Sequence, residues 1–129
     1  SVNLKINQMK NIFGFLLMSF FFINCNSQQE IKSISTSELK VLLEKEYVQL
    51  LDVRTPEEIE QGFIKTAKFS NFFDTDFYTK ATTQLDKNRP VYLYCRSGNR
   101  SSKSAKILQE KGYQVYNVLG GYNKWKQEN

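Results

Sequence analysis

From Ile31 to Asn129 the chain alternates short apolar runs with amphipathic stretches, and glycine, proline or capping residues mark the breaks. Ile31–Ile34 alternates apolar and polar positions, as a short strand does. Ser35-Thr36-Ser37-Glu38 has the spacing of a capping box, and Leu39, Leu42 and Leu43 follow at helical intervals. Tyr47–Val53 is a dense apolar run leading into Asp52-Val53-Arg54, the pattern of a strand buried on both faces. Pro56-Glu57-Glu58 opens a short helix, with proline in its first turn and acids at its positive end, and Gly62 ends it. Ala67–Phe72 predicts a third strand. Asp74–Leu85 predicts an irregular helix, because Thr79, Thr82 and Thr83 lower its propensity.

A turn over Asp86–Pro90 leads into Val91–Cys95, a β-branched and aromatic run that predicts the clearest strand of the chain. A helix over Ser101–Lys111 follows, with Ala105 and Leu108 on one face and Gly112 at the C-cap. Val115–Leu119 predicts the last strand, and Gly120-Gly121 breaks to a terminal helix whose Tyr122 and Trp125 read as core aromatics. Tyr92 and Tyr94 read as packing residues. Strands alternating with helices predict an α/β fold: a central, mostly parallel sheet of about five strands with helices on both faces. Ligands of such sheets sit beyond the carboxyl ends of the strands. Cys95 and the turn Asp52-Val53-Arg54 both fall on that edge.

Ahead of this pattern stands a different one. Met9-Lys10-Asn11 precedes Ile12–Ile23, a 12-residue, almost wholly apolar run, and Asn24-Cys25-Asn26-Ser27-Gln28-Gln29 follows. A basic start, an apolar core and a small-polar exit predict a secretory signal peptide. The run is shorter than the roughly 20 residues of a membrane-spanning helix. A cysteine directly after the apolar core resembles a bacterial lipoprotein signal, although Phe22-Ile23-Asn24 departs from the usual residues before that cysteine. The expected organisation is a leader over 1–24, in which 1–8 precede the start methionine and are extraneous, a polar tether over 25–30 and a folded domain over 31–129. The expectation is an exported, periplasmic or cell-envelope protein, anchored to a membrane by lipid on Cys25; secretion without lipid and an uncleaved anchor or a buried cysteine are the alternatives. With Cys25 lipidated, Cys95 is the single free thiol in an oxidising compartment.

Charge narrows the chemistry. Lys and Arg number 18 against 13 Asp and Glu, a net +5. Setting aside Lys5 and Lys10, which precede the apolar run, leaves 16 cations against 13 acids, too even and too scattered for a nucleic-acid footprint. The chain has 0 histidines, which removes Cys-His and Ser-His pairs and His-ligated metals together. Two cysteines in unlike contexts do not make a zinc site. A mechanism without cofactor or metal is expected.

The chemistry-bearing stretch is Cys95-Arg96-Ser97-Gly98-Asn99-Arg100-Ser101. A strand ending at Cys95 and a helix opening near Ser101 leave the loop amides curled around the sulfur, at a helix end that favours an anion. With Arg96 and Arg100 beside it, the thiol is expected to titrate below its ordinary value of about 8.5 and to react as thiolate. The alternative is a small buried cysteine closing a core strand. Gly98 is expected to supply a positive φ, and Ser97 and Asn99 to shape the loop.

Three blocks together resemble the single-domain rhodaneses. They are Asp52-Val53-Arg54-Thr55-Pro56-Glu57-Glu58 through Gly62-Phe63-Ile64, then Cys95–Ser101, and then Gly120-Gly121 with Trp125. The likeness runs over about residues 31–127, and the Cys95–Ser101 block is its most specific part. Departures lie outside that block. Gly62-Phe63-Ile64 replaces the family's Gly-His-Ile, Thr66-Ala67 its Gly-Ala, Ile59 an aromatic, and Lys68-Phe69-Ser70-Asn71 its Asn-Ile-Pro ending.

The resemblance implies a thiosulfate-type sulfurtransferase that carries sulfur as a persulfide on Cys95. N–H groups from Arg96 to Ser101 would hold the persulfide, and Arg100, with Arg96, the donor's sulfonate. It implies a small anionic donor such as thiosulfate and an acceptor that is a thiol, cyanide or a protein. It implies no cofactor, no nucleic acid and a monomer. Asp52, Arg54 and Glu58 read as structural support, with Arg54 expected to pair with Glu58 or Glu60 across the strand-to-helix turn.

Two other functions stay open. A cysteine-dependent phosphatase or arsenate reductase uses a similar loop with five residues between cysteine and arginine, whereas Cys95 and Arg100 enclose four and Tyr94 stands where those enzymes have histidine. A carrier that loads sulfur without turnover is the other.

Overall fold

The computed structural model describes residues 29–129, of which Ile31–Asn129 form one compact unit. The expected leader, Cys25 and residues 26–28 lie outside the described residues. Among the described residues five strands and five helices alternate: β1 Lys32–Ile34, α1 Thr36–Lys45, β2 Gln49–Asp52, α2 Pro56–Glu60, β3 Lys68–Phe69, α3 Phe77–Gln84, β4 Val91–Tyr94, α4 Asn99–Glu110, β5 Val115–Val118 and α5 Gly121–Glu128. The strands lie in the order β1-β5-β4-β2-β3, and every pairing is parallel.

The two faces of this sheet make two cores, because successive residues of a strand point to opposite sides. Leu51, Val53, Val91, Leu93 and Val115 point one way and meet Phe77 and Ala81 of α3 with Ala105 and Leu108 of α4. Leu50, Tyr94 and Val118 point the other way and meet Leu39 of α1, flanked by Leu42, Leu43, Tyr122 and Trp125. The helices therefore cover both faces, and all four residues of β2 are buried. Tyr92 stacks on Tyr116 with ring centroids 4.9 Å apart, a packing contact between neighbouring strands.

Local chemistry sets the helix ends. Ser35 and Thr55 each close a full capping box, with Glu38 and Glu58 respectively. At the far end of the chain, both carboxylate oxygens of Glu128 on α5 lie within hydrogen-bond distance of the Thr36 hydroxyl, at 2.9 and 3.0 Å, and share its single proton. That carboxylate lies at the positive end of α1 and ties the last helix to the first.

Most strands and helices are a residue or more shorter than expected, and three boundaries differ for a clear physical reason. β3 is two residues long, because β2 ends at Asp52 and offers no further ladder; the Ser70 and Phe72 N–H groups bond to the Asp52 and Val53 carbonyls as the chain turns away. α4 begins at Asn99 rather than Ser101, since Gly98, in the left-handed region at φ +113°, serves as its N-cap without a capping side chain. Lys111, not Gly112, is the C-cap of that helix, and Gly112 follows it with φ +95°.

Candidate active site

β4 is the middle strand, so its carboxyl end is flanked by β2 and β5 and carries Cys95 into the space between them. The thiol is 1% exposed. The Gly98 N–H donates to its Sγ at 3.0 Å, and the Ser101 hydroxyl lies 3.4 Å away. Burial pushes the thiol up, but hydrogen bonds from the Ser101 hydroxyl and from the Ser101, Gly98 and Ser97 N–H groups outweigh it, leaving the thiol below its ordinary value. The expected lowering is present. Its main source is the loop's donors rather than the arginine charges.

The start of the loop is held from outside by its carbonyls. The Cys95 carbonyl accepts from the Tyr122 N–H at 2.8 Å, and the Arg96 carbonyl from the Asn123 N–H at 3.0 Å. The first turn of α5 thus spends its free amides on the back of the loop. The approach is close enough to require glycine: Gly121 has φ +55°, and a Cβ there would lie 2.5 Å from the Cys95 carbonyl oxygen.

Arg100 sits on the first turn of α4 and grips Glu58 of α2 with both ends of its guanidinium, at 2.7 and 2.8 Å. That grip, opposed by burial and helped by Thr55, holds the Glu58 carboxyl at about 2. The guanidinium also lies 5.5 Å from the centroid of Phe73, an aromatic ring that is 66% exposed. Arg96, Ser97 and Asn99 are exposed. Arg96 lines a polar cavity of about 370 Å³ with Arg54, Glu58, Gln61, Tyr122 and Lys126, a cavity that Cys95 does not line. Of the six residues after Cys95, then, Gly98 and Ser101 lie nearest the sulfur, Ser97 adds its N–H, and Arg100 is braced against Glu58.

Arg54 does not pair with Glu58 or Glu60. It turns back on Asp52, with Nε donating to Oδ1 at 3.0 Å and a terminal nitrogen donating to Oδ2 at 2.8 Å. Asp52 is fully buried at the end of β2, so its charge requires a partner at contact distance, whereas Glu58 faces the loop arginine. The same guanidinium donates to the Gly62 carbonyl at 2.8 Å and lies 4.2 Å from the Tyr122 ring centroid. Asp52, Arg54 and Glu58 therefore fix the turn, α2 and, through Glu58, Arg100.

Two participants escape a reading of the sequence. Asn117 of β5 accepts from the Ser101 hydroxyl at 2.6 Å and donates to the Gly98 carbonyl at 3.3 Å. The signal for it exists: Asn117 shares the β5 face of buried Val115, where an apolar residue is expected. Phe73 gives no such signal. Among the described residues no group of three His, Cys, Asp or Glu could hold a metal ion.

A parallel α/β sheet that presents a buried, hydrogen-bonded thiol at the end of its middle strand defines a cysteine-loop domain. Residues 35–128 match the rhodanese-like domain, and the chain belongs to that family. It is 38% identical over 97 residues to a sulfurtransferase of Allochromatium vinosum, covering 74% of this chain and 86% of that protein. It is 32% identical over 96 residues to the thiosulfate sulfurtransferase GlpE of Coxiella burnetii, covering 74% and 87%. The crystal structure of a rhodanese-like domain protein from Staphylococcus aureus superposes with a TM-score of 0.66 at 40% identity, covering 74% of this chain and 91% of that one.

Proposed function

We propose that the protein moves sulfane sulfur from thiosulfate, or a donor of the same kind, to a thiophilic acceptor through a persulfide on Cys95. The observation that carries this reading is Cys95, 1% exposed yet with its Sγ met by the Gly98 N–H at 3.0 Å and lying 3.4 Å from the Ser101 hydroxyl. Such a site favours a charged sulfur despite its burial. The Cys95 thiolate attacks the outer sulfur of thiosulfate, a new S–S bond forms, and the bond to the sulfonate sulfur breaks with its electron pair leaving on sulfite. The persulfide's charge then lies on the outer sulfur, within reach of the loop N–H groups. An acceptor such as cyanide takes that sulfur, leaving as thiocyanate and returning the thiolate, as ping-pong chemistry requires. Glu58 occupies two of Arg100's five N–H donors, so the others are available to the sulfonate.

The test is intact mass in buffer free of reducing agent. A gain of about 32 Da with thiosulfate, removed by cyanide with release of thiocyanate, is the expected result; stoichiometry follows from one reacting thiol. Loading without turnover would favour the carrier. No loading on a confirmed free thiol would remove thiosulfate as donor, and aryl-phosphate hydrolysis would then revive the phosphatase reading.

We further propose that the protein is exported and anchored through lipid on Cys25, supported by the apolar run before that cysteine and the polar residues after it. Labelled palmitate should enter the wild-type protein and not Cys25→Ala. An unlabelled wild-type protein would end this proposal.

A further inference from the structure

We propose that Asn117 is a positioning residue that decides where the Ser101 hydroxyl sends its proton, and so opposes the thiolate of Cys95 while favouring the persulfide. This rests on Cys95 being the reacting thiol, and its test reads the thiolate itself. Asn117 is 5% exposed and Ser101 fully buried, so neither has water to fall back on. The Ser101 Oγ lies 2.6 Å from Asn117 Oδ1 and 3.4 Å from Cys95 Sγ. Asn117 Nδ2 lies 3.3 Å from the Gly98 carbonyl oxygen. A carbonyl only accepts, so the amide nitrogen must face Gly98 and Oδ1 must face Ser101.

Oδ1 has no proton to give. The 2.6 Å contact therefore takes the single hydroxyl proton of Ser101, and an oxygen lone pair is left facing the sulfur. That arrangement suits a neutral Sγ. A thiol can donate its own proton to Oγ, and a persulfide carries its charge on the outer sulfur. A thiolate demands the reverse: the hydroxyl proton must swing to Sγ, and Oδ1 is stripped of a buried donor, which is costly. The thiol proton leaves to solvent, while the hydroxyl proton only rotates. When sulfur loads and the charge moves outward, the hydroxyl returns to Asn117. The carboxamide thus holds the thiol's midpoint above the value the loop amides and Ser101 would set alone.

The charged groups facing the loop are Arg96 within it, Arg100 of α4 with Glu58 of α2, Arg54 with Asp52 of β2, and Glu57 and Lys126 across the polar cavity that Arg96 lines; Tyr94 and Tyr122 are the phenols. None of them is altered in the experiment. The pH dependence of Cys95 alkylation by iodoacetamide is measured on the full chain carrying Cys25→Ala, so that one thiol reports. Asn117→Ala is expected to lower the midpoint by about one pH unit, equal to roughly tenfold more thiolate on the acid side, by freeing Ser101 to donate to sulfur. Asn117→Asp is expected to raise the midpoint, since it keeps the acceptor and adds a negative charge. In a Ser101→Ala background the effect of Asn117→Ala vanishes. General loosening of the loop would move both variants the same way and would persist without Ser101. Unmoved midpoints, shifts of one sign, or an alanine effect that survives Ser101→Ala overturn the proposal. Should a variant not fold, the wild-type protein decides: the Asn117 side-chain amide resonances must titrate with the thiol, and flat resonances overturn it. A failure to load sulfur from thiosulfate would count against the transferase reading alone.

Discussion

Cys95→Ser should keep the fold and lose sulfur transfer by about 10⁴-fold or more, the order seen when an enzyme loses its nucleophile. The substitution is nearly isosteric, and a serine hydroxyl in the same place can accept from the Gly98 N–H that now meets sulfur at 3.0 Å. Its effect on stability should therefore stay within about 1 kcal/mol. The chemistry is another matter. The loop's donors stabilise a thiolate because a thiol already ionises close to neutral pH, and the same few hydrogen bonds cannot bring an aliphatic hydroxyl into that range. The wild-type rate should rise with pH as the thiol ionises, with its midpoint below the ordinary thiol value, in keeping with the hydrogen bonds that offset its burial. The check is thiocyanate release from thiosulfate and cyanide across pH, alongside thermal melts of both proteins. Turnover retained in Cys95→Ser, with the substitution verified by mass, would move the reaction to another residue.

Legibility in the sequence followed burial. β2 and β4 are central and covered on both sides, so Leu50 with Leu51 and Leu93 with Tyr94 are buried on both faces of the sheet. Edge strand β3 pairs only with β2, which leaves its sequence almost no constraint, and its predicted length was three times the observed one. Cys95 and its loop were legible because a strand, a tight loop and a helix start are all local. The partners of the loop were not. Arg100 and Glu58 are 42 residues apart, and no spacing rule joins them. Arg54 had four acids within six residues, Asp52, Glu57, Glu58 and Glu60, and spacing cannot tell a buried carboxylate from an exposed one; burial of Asp52 decides. Ser101 stands at the expected start of a helix, and nothing local in the sequence joins its hydroxyl to Asn117, which it meets at 2.6 Å while lying 3.4 Å from the sulfur.

Asp52→Ala and Arg54→Ala should each destabilise the domain by about 3–5 kcal/mol, the range for stripping one partner from a buried ion pair. The exposures of these side chains are 0% and 3%, so neither charge can recover its hydration when the other is removed. Burial alone would lower the Arg54 guanidinium, yet its bonds to Asp52 carry it above the ordinary value. In a domain of this size each kcal/mol shifts the midpoint by roughly 4–8 °C, so a thermal melt should fall by at least about 12 °C. Replacing both residues together by apolar ones of similar volume should restore much of that loss, because the desolvation of both charges disappears with them. The restoration will not reach the active site. Arg54 also holds the Gly62 carbonyl at 2.8 Å and packs under Tyr122, so it positions the end of α2 and the first turn of α5. Glu58 on α2 braces Arg100, and Tyr122 on α5 holds the Cys95 carbonyl. The double variant should accordingly regain its melting temperature while KM for the anionic donor stays raised. Recovery of KM along with stability would show that the ion pair supports the fold alone.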